Sequence, residues 1–339
     1  MRTPIAERSI LVTGGGGFIG SFLTEALVEA GATVSVADNF SRGDRANLAG
    51  VIDDIEILPV DLRSYRACIE ATENVDEVYH LAASVGGIHY IQEENVGGLV
   101  PSELMNLNIL EAARVNEVDR LLFASSACIY RQAHDGLNRF AEDDALPANP
   151  HSTYGWAKLM GEIACQAYHE DTALRTGCVR IFNCYGPRES LDPTSSHVIP
   201  SLCRKVITTP DGGSIELFGD GSQERGFIYV TDLVAGMMEA MDRKVDGEPI
   251  NLGNGSEVVS INELAEQIIE ISGKSLTIEH DESKPTGTDK YACDPTAMEI
   301  ALDWTPSTVL EDGLEQVYHW AREELADGTA ARPQEVPAR

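Results

Sequence analysis

Lysine is scarce: only Lys158, Lys205, Lys244, Lys274, Lys284 and Lys290 occur in 339 residues. With 25 Lys+Arg against 55 Asp+Glu, the formal net charge is −30. A field of that sign repels nucleic acid and anionic lipid, so neither is an expected partner. Such a surface fits a protein kept dissolved in concentrated salt, and equally an acidic mesophilic protein. The seven cysteines, at 68, 128, 165, 178, 184, 203 and 293, are odd in number and include no Cys-x-x-Cys pair. That pattern excludes a disulfide framework and a structural zinc site, and no metal is expected. No apolar run approaches the roughly 20 residues that cross a bilayer. The opening Met1-Arg2-Thr3-Pro4-Ile5-Ala6-Glu7-Arg8 has no secretory h-region and leads straight into a strand pattern. A soluble, cytoplasmic protein is therefore expected. Internal repeats and low-complexity tracts are lacking as well.

What is present is a regular alternation of short apolar runs and helical segments. Ser9-Ile10-Leu11-Val12 reads as a buried parallel strand, followed by Thr13-Gly14-Gly15-Gly16-Gly17-Phe18-Ile19-Gly20 and an amphipathic helix over 21–29. Gly14, Gly17 and Gly20 permit a tight turn, close approach to a pyrophosphate, and strand–helix contact, while the helix N-terminus supplies free N–H groups. A second strand over 33–37 ends in Asp38-Asn39. A carboxylate there accepts hydrogen bonds from a ribose diol and repels a 2′-phosphate, which favours NAD over NADP. Arg42 and Arg45 soften that preference. Further strands are predicted over 55–60, closing in Asp61-Leu62 with the carboxylate in reach of an adenine amino group, and over 75–80, ending in Leu81-Ala82-Ala83. Others are predicted over 120–124, delivering Ser126, then over 179–183, and late, over 249–253. Ligand groups at the carboxyl ends of evenly spaced strands predict an α/β fold, a doubly wound, Rossmann-like parallel sheet. Residues 1–186 plus about 226–256 form the expected NAD-binding domain. A smaller, interleaved lobe over 187–225 plus about 257–325 holds substrate, and 326–339 reads as a frayed tail.

Tyr154 and Lys158 are four apart, so on a helix they share one face, with the ammonium beneath the phenol. A cation there, together with an oxidised nicotinamide, is expected to lower the phenol's pKa and make it a base toward a sugar hydroxyl. Ser126 steadies the same hydroxyl. The apolar faces of this helix and of the one over 104–114 suit either a four-helix contact in a homodimer or ordinary packing on the sheet.

The glycine loop, Asp38, His80-Leu81-Ala82-Ala83, Ser125-Ser126 and Tyr154-x-x-x-Lys158 together resemble the extended short-chain dehydrogenase/reductase superfamily of nucleotide-sugar epimerases and dehydratases, over roughly residues 8–325. The resemblance implies a catalytic trio of Ser126, Tyr154 and Lys158 around NAD, and a nucleotide-diphosphate sugar as substrate. Ala127-Cys128 departs from the Asp-Glu pair typical of 4,6-dehydratases. Ser125-Ser126-Ala127-Cys128-Ile129-Tyr130 instead resembles GDP-mannose 3,5-epimerases, and the GDP-fucose synthases have a shorter form of it, so a GDP-sugar is favoured. Val85-Gly86-Gly87-Ile88 resembles both, which makes Gly86 and Gly87 candidate substrate contacts. Ser196-His197-Val198-Ile199-Pro200 resembles the synthases, whereas the 3,5-epimerases carry a lysine at that position.

A C4 ketone acidifies the protons at C3 and C5, and inversion then needs one group to remove a proton and another to supply one from the opposite face. Cys128 and His197 are the expected pair, the thiol requiring a cationic neighbour to approach neutrality. Substrate contacts are expected from Ser126, Cys128, Asn183, His197, Lys205 and Arg225, with Lys290 standing where the family usually has arginine. The reading is an NAD-dependent nucleotide-sugar epimerase acting at C3 and/or C5. The alternatives are a 4-epimerase or 4-ketosugar reductase and, from a different class, a non-catalytic NAD sensor.

Overall fold

Ile10, Leu11 and Val12 are consecutive and fully buried, as are Leu121, Leu122 and Phe123. A strand can bury successive residues only when both faces of its sheet are covered, because alternate side chains point to opposite sides. Ile10, Val12 and Leu122 pack into one core, and Leu11, Leu121 and Phe123 into another across the sheet. The computed structural model describes residues 3–84, 95–130, 139–150, 152–193, 195–284 and 290–326.

The strands in chain order begin with β1 (Ser9–Thr13), β2 (Thr33–Ala37), β3 (Ile55–Leu58), β4 (Glu77–His80), β5 (Arg120–Ser126), β6 (Arg175–Ile181) and β7 (Cys184–Tyr185). They continue with β8 (Ser214–Phe218), β9 (Glu224–Gly226), β10 (Ile228–Tyr229), β11 (Pro249–Leu252), β12 (Val258–Ser260), β13 (Thr277–Asp281) and β14 (Lys290–Tyr291). Seven of them form one sheet in the order β11-β6-β5-β4-β1-β2-β3, with every pairing parallel. The order reverses between β1 and β4, so a crevice opens at their carboxyl ends, where such sheets bind ligands. Helices α1 (Phe18–Glu29), α2 (Tyr65–Ala71), α3 (Asn95–Val115) and α4 (Thr153–Asp171) connect these strands. Next come α5 (Val198–Thr208), α6 (Val230–Arg243), α7 (Ile261–Ser272), α8 (Thr296–Leu302) and α9 (Leu310–Ala326).

A further core, with Leu202, Val206, Ile215, Leu264, Ile268 and Leu314 at its centre, belongs to the smaller lobe. It meets the main core through Ile19 and Phe22 of α1. The chain enters this lobe after β7, returns to the large sheet as β11 beside β6, and leaves again, as the interleaving required.

Several boundaries differ from those read off the sequence. β3 stops at Leu58, just before Pro59, which has no N–H to give to a ladder. β6 spans 175–181 rather than 179–183, because it pairs with β5 along its whole length from Arg175 to Ile181. β4 begins at Glu77, α1 at Phe18 and α3 at Asn95. Ala326 still belongs to α9, and the rest of the expected tail lies outside the described residues.

Beneath the carboxyl end of β5 runs a buried polar network. Arg180 on β6 donates to both carboxylate oxygens of Glu162 on α4, at 3.0 and 2.8 Å, and to Tyr130 Oη at 3.0 Å. Ser125 Oγ donates to Glu162 Oε1, and Tyr130 Oη to Asn251 Oδ1 at 2.7 Å. Glu162 and Arg180 are both buried, so the pair ties the strand end to the helix in a medium where a lone charge is costly. Arg180→Met strands the Glu162 carboxylate and is expected to cost about 3–5 kcal/mol. Urea denaturation measures it; a loss below about 1 kcal/mol, the scale of an exposed pair, would contradict this account of the network.

Candidate active site

The first strand-to-helix turn is shaped by two glycines. Gly14 has φ +71°, and a Cβ on it would lie 2.9 Å from the Ala82 nitrogen. One on Gly20 would lie 2.2 Å from the Gly14 carbonyl oxygen. No side chain caps α1 at Gly17, so its first-turn N–H groups remain available beside Gly17, Phe18 and Ile19, which line the cleft. Thr13 Oγ1 accepts the N–H groups of Leu81 and Ala82 at 3.1 and 3.2 Å, holding the end of β4 against β1. Asp38 accepts from Gly16 and Phe40 N–H at 2.9 and 2.8 Å. Burial pushes its carboxyl above the usual range, and these two bonds pull it down. The cradle a Cβ would fill, the uncapped helix and the anchored carboxylate fit an NAD pyrophosphate and adenosine ribose. Asn39, Asp61, Leu62 and Ala83 line the same cleft. Asp61 is engaged by the Arg63 guanidinium, whose Nε lies 2.9 Å from Oδ2 and which holds the carboxyl below its ordinary range.

Ser152 caps α4, its hydroxyl accepting from Gly155 N–H at 3.1 Å. A Cβ on Gly155 would lie 2.3 Å from the Cys128 carbonyl oxygen, so only glycine lets the helix start press onto the turn after β5. That contact brings Tyr154 beside Ser126 and Cys128. The Ser126 hydroxyl accepts from Cys128 N–H at 3.1 Å and favours ionisation of the neighbouring Tyr154 phenol. Lys158, buried, donates to the Ala124 carbonyl at 2.6 Å and lies 5.7 Å from the Tyr154 ring centre. Burial pushes the lysine down to about 8, opposed by Cys128 and Glu162.

The phenol does not follow the expectation from the sequence. Burial pushes the Tyr154 pKa up, Cys128 adds to the rise, and only Ser126 opposes it. Desolvation disfavours the phenolate by more than the polar neighbours restore, so phenolate character depends on what a bound cofactor adds. The Cys128 thiol is likewise pushed up by burial, with Ser126 and Lys158 pulling it down. Lys158 is thus the cationic neighbour the thiol needed, though burial outweighs it.

One cleft of about 2860 Å³ contains Ser126, Cys128, Tyr154 and Lys158 together with Asn183, His197, Lys205 and Arg225 from the smaller lobe. Among the described residues, eight Lys/Arg and six Asp/Glu line it. On a chain of net charge −30 the cleft therefore reverses the sign of the surface, which suits an anionic ligand. Asn183, with φ +25°, donates to the Gly226 carbonyl at 3.0 Å. Lys205 donates to the Glu216 carbonyl at 2.6 Å and lies 5.1 Å from the Phe218 ring centre. Lys290 pairs with Glu224 at 2.8 Å and is not among the residues that line the cleft. Gly86 and Gly87 lie outside the described residues.

Two residues of the site went unread in the sequence. Glu189, buried, bonds His197 Nδ1 and raises the imidazole pKa. Tyr291 donates to the Ala127 carbonyl, pinning β14 against the Cys128 turn. Neither carries a local signal, since one lies in an aperiodic loop and the other reaches the turn from 164 residues away.

Residues 10–253 match the model of the NAD dependent epimerase/dehydratase family. The chain belongs to that family. This epimerase/dehydratase is 33% identical over 325 residues to the GDP-mannose 3,5-epimerase of Arabidopsis thaliana, covering 95% of this chain and 84% of the relative. It is 29% identical to the GDP-L-fucose synthase of Escherichia coli strain K12, over 93% of this chain and 97% of that one. Among solved structures, the UDP-glucuronic acid 4-epimerase of Bacillus cereus, in complex with UDP-glucuronic acid and NAD, aligns with a TM-score of 0.81. That likeness is at 28% identity, over 93% of this chain and 99% of that one. The protein is an NAD-dependent enzyme of the epimerase type. No helix of the described residues is long and apolar enough to cross a membrane.

Proposed function

We propose that this enzyme is a GDP-sugar epimerase that inverts C3 and/or C5 through a transient 4-ketone. The observation that carries the reading is that Cys128, from the turn after β5, and His197, from the start of α5, line one cleft with Ser126 and Tyr154. The glycine turn, Asp38 and Lys158 would hold NAD, which would supply reversible hydride chemistry at C4. Tyr154 takes the C4 hydroxyl proton while Ser126 orients that hydroxyl. The ketone acidifies the neighbouring C–H bonds. Cys128 then removes a proton, with the Lys158 ammonium favouring the thiolate against burial. His197, which the Glu189 carboxylate makes more cationic, gives one from the other side of the ring. Arg225 and Lys205 draw the diphosphate into the reversed field of the cleft. The choice of a GDP-sugar rests on the substrate and product named for the two curated relatives.

Incubation with GDP-mannose in deuterated water is expected to place solvent deuterium at C3 or C5, read by NMR. Cys128→Ala is expected to abolish that exchange, a loss of at least about 100-fold, with NAD still bound. Inversion at C4 without exchange would make the protein a 4-epimerase, and tight NAD binding without turnover a sensor.

A second observation supports a homodimer. Val100, Leu104 and Leu107 on α3, and Trp156, Met160 and Ile163 on α4, are each spaced at i, i+4, i+7 and exposed. The two helices pack side by side, so their apolar stripes form one patch that a second copy would cover as a four-helix contact. Met160→Glu is expected to yield monomers in sedimentation velocity; an unchanged species would place the interface elsewhere.

A further inference from the structure

The loop between β7 and α5 contains consecutive charged residues held in opposite directions. Arg188 adopts φ +69°, a backbone conformation that costs a non-glycine residue about 1–3 kcal/mol and persists only where the surroundings impose it. Its guanidinium grips both oxygens of Glu25 on α1 at 2.9 and 2.8 Å, and lies 4.4 Å from the Phe22 ring centre. With Arg188 anchored to α1, the next side chain, Glu189, turns into the protein and reaches His197.

The carboxylate there is hard to explain by stability. Glu189 is buried, its Oε1 bonds His197 Nδ1, and its Oε2 has no hydrogen-bond partner among the described residues. A buried carboxylate satisfied on one side only is a net burden to a fold. The imidazole is not needed as a helix cap either: His197 is the N-cap residue of α5, but its side chain makes no capping bond. Among the described residues, the other titratable groups shifted by Glu189 are Cys184 and Cys203, whose thiols are pushed up by burial first and by Glu189 second. Both are pushed toward their neutral forms, so His197 is the partner whose cationic form Glu189 favours.

We propose that Glu189 is the positioning residue of the acid–base pair, its buried carboxylate fixing the Nδ1 edge of His197 so that Nε2 is the nitrogen offered to the sugar. The inference rests on the reading of His197 as a proton donor. A carboxylate on Nδ1 sets the tautomer and the ring orientation, and favours the protonated imidazole. The raised pKa of His197 agrees in direction. As an acid, His197 works below its own pKa, so removing the Glu189 charge should move the alkaline limb of activity to lower pH.

The test compares wild type with Glu189→Gln and Glu189→Asp. Imidazole NMR titration, with His197→Asn to assign the signal, is expected to give the highest midpoint in wild type, the lowest in Glu189→Gln and an intermediate one in Glu189→Asp. With GDP-mannose in deuterated water, Glu189→Gln should lose at least about tenfold in the kcat of exchange. KM and reduction of the bound NAD, read at 340 nm, should be unchanged, and Glu189→Asp should recover part of the loss. Equal titration midpoints in wild type and Glu189→Gln would overturn the proposal whatever the substrate, as would full exchange in Glu189→Gln. Loss of NAD reduction in step with exchange would reduce Glu189 to a structural role. Unimpaired exchange in His197→Asn would instead remove the role given to the histidine itself.

Discussion

Everything at the reacting end of the cleft depends on the contact between Gly155 and the Cys128 carbonyl. A methyl group on that glycine would lie 2.3 Å from the oxygen, so the approach admits no side chain. Through it the first turn of α4 lies on the turn after β5, and Tyr154 meets Ser126. One helical turn further, Lys158 reaches back to the Ala124 carbonyl inside the sheet. The Glu162–Arg180 pair secures the same helix one turn later. Three successive turns of α4 thus carry Tyr154, the buried Lys158 and the anchor that holds both.

Burial dominates the electrostatics of this region. It pushes Tyr154 and Cys128 toward their neutral forms and pushes Lys158 down to about 8. Lys158 is thereby brought nearer to a protonation change, whereas the phenol and the thiol are held in their neutral forms. His197 differs because it sits at the cleft wall, with more than half of its side chain exposed, and faces a carboxylate. Glu189 raises its pKa by more than desolvation lowers it. The two groups assigned to exchange protons at carbon are therefore pushed toward protonated forms by different causes, burial for the thiol and an anion for the imidazole.

Much of this was legible in the sequence. The parallel sheet followed from apolar runs ending in Asp38, Asp61, Ala82 and Ser126, and the glycine turn from its place between a strand and a helix. Fully buried strands show as continuous apolar runs, which is why β1 and β5 were found nearly to the residue. The start of β6 was missed because Arg175 and Thr176 are polar, and their pairing with β5 is a tertiary fact. The cleft residues came from motifs at fixed spacing. The pairing of Lys290 with Glu224 was not legible, because a motif position says nothing of a neighbouring carboxylate that takes the ammonium. Glu189 left no trace because the loop that carries it has no period. Its direction is set by Arg188 gripping a helix 163 residues away.

The central claim is geometric: a pyranose ring in this cleft has the thiol and the imidazole on opposite faces. A crystal structure of the Tyr154→Phe protein with NAD and GDP-mannose measures it directly. The account predicts Cys128 Sγ and His197 Nε2 on opposite sides of the ring, each within about 3–4 Å of C3 or C5. Both groups on one face, or His197 turned from the ring with Glu189 still bonded to it, would contradict it.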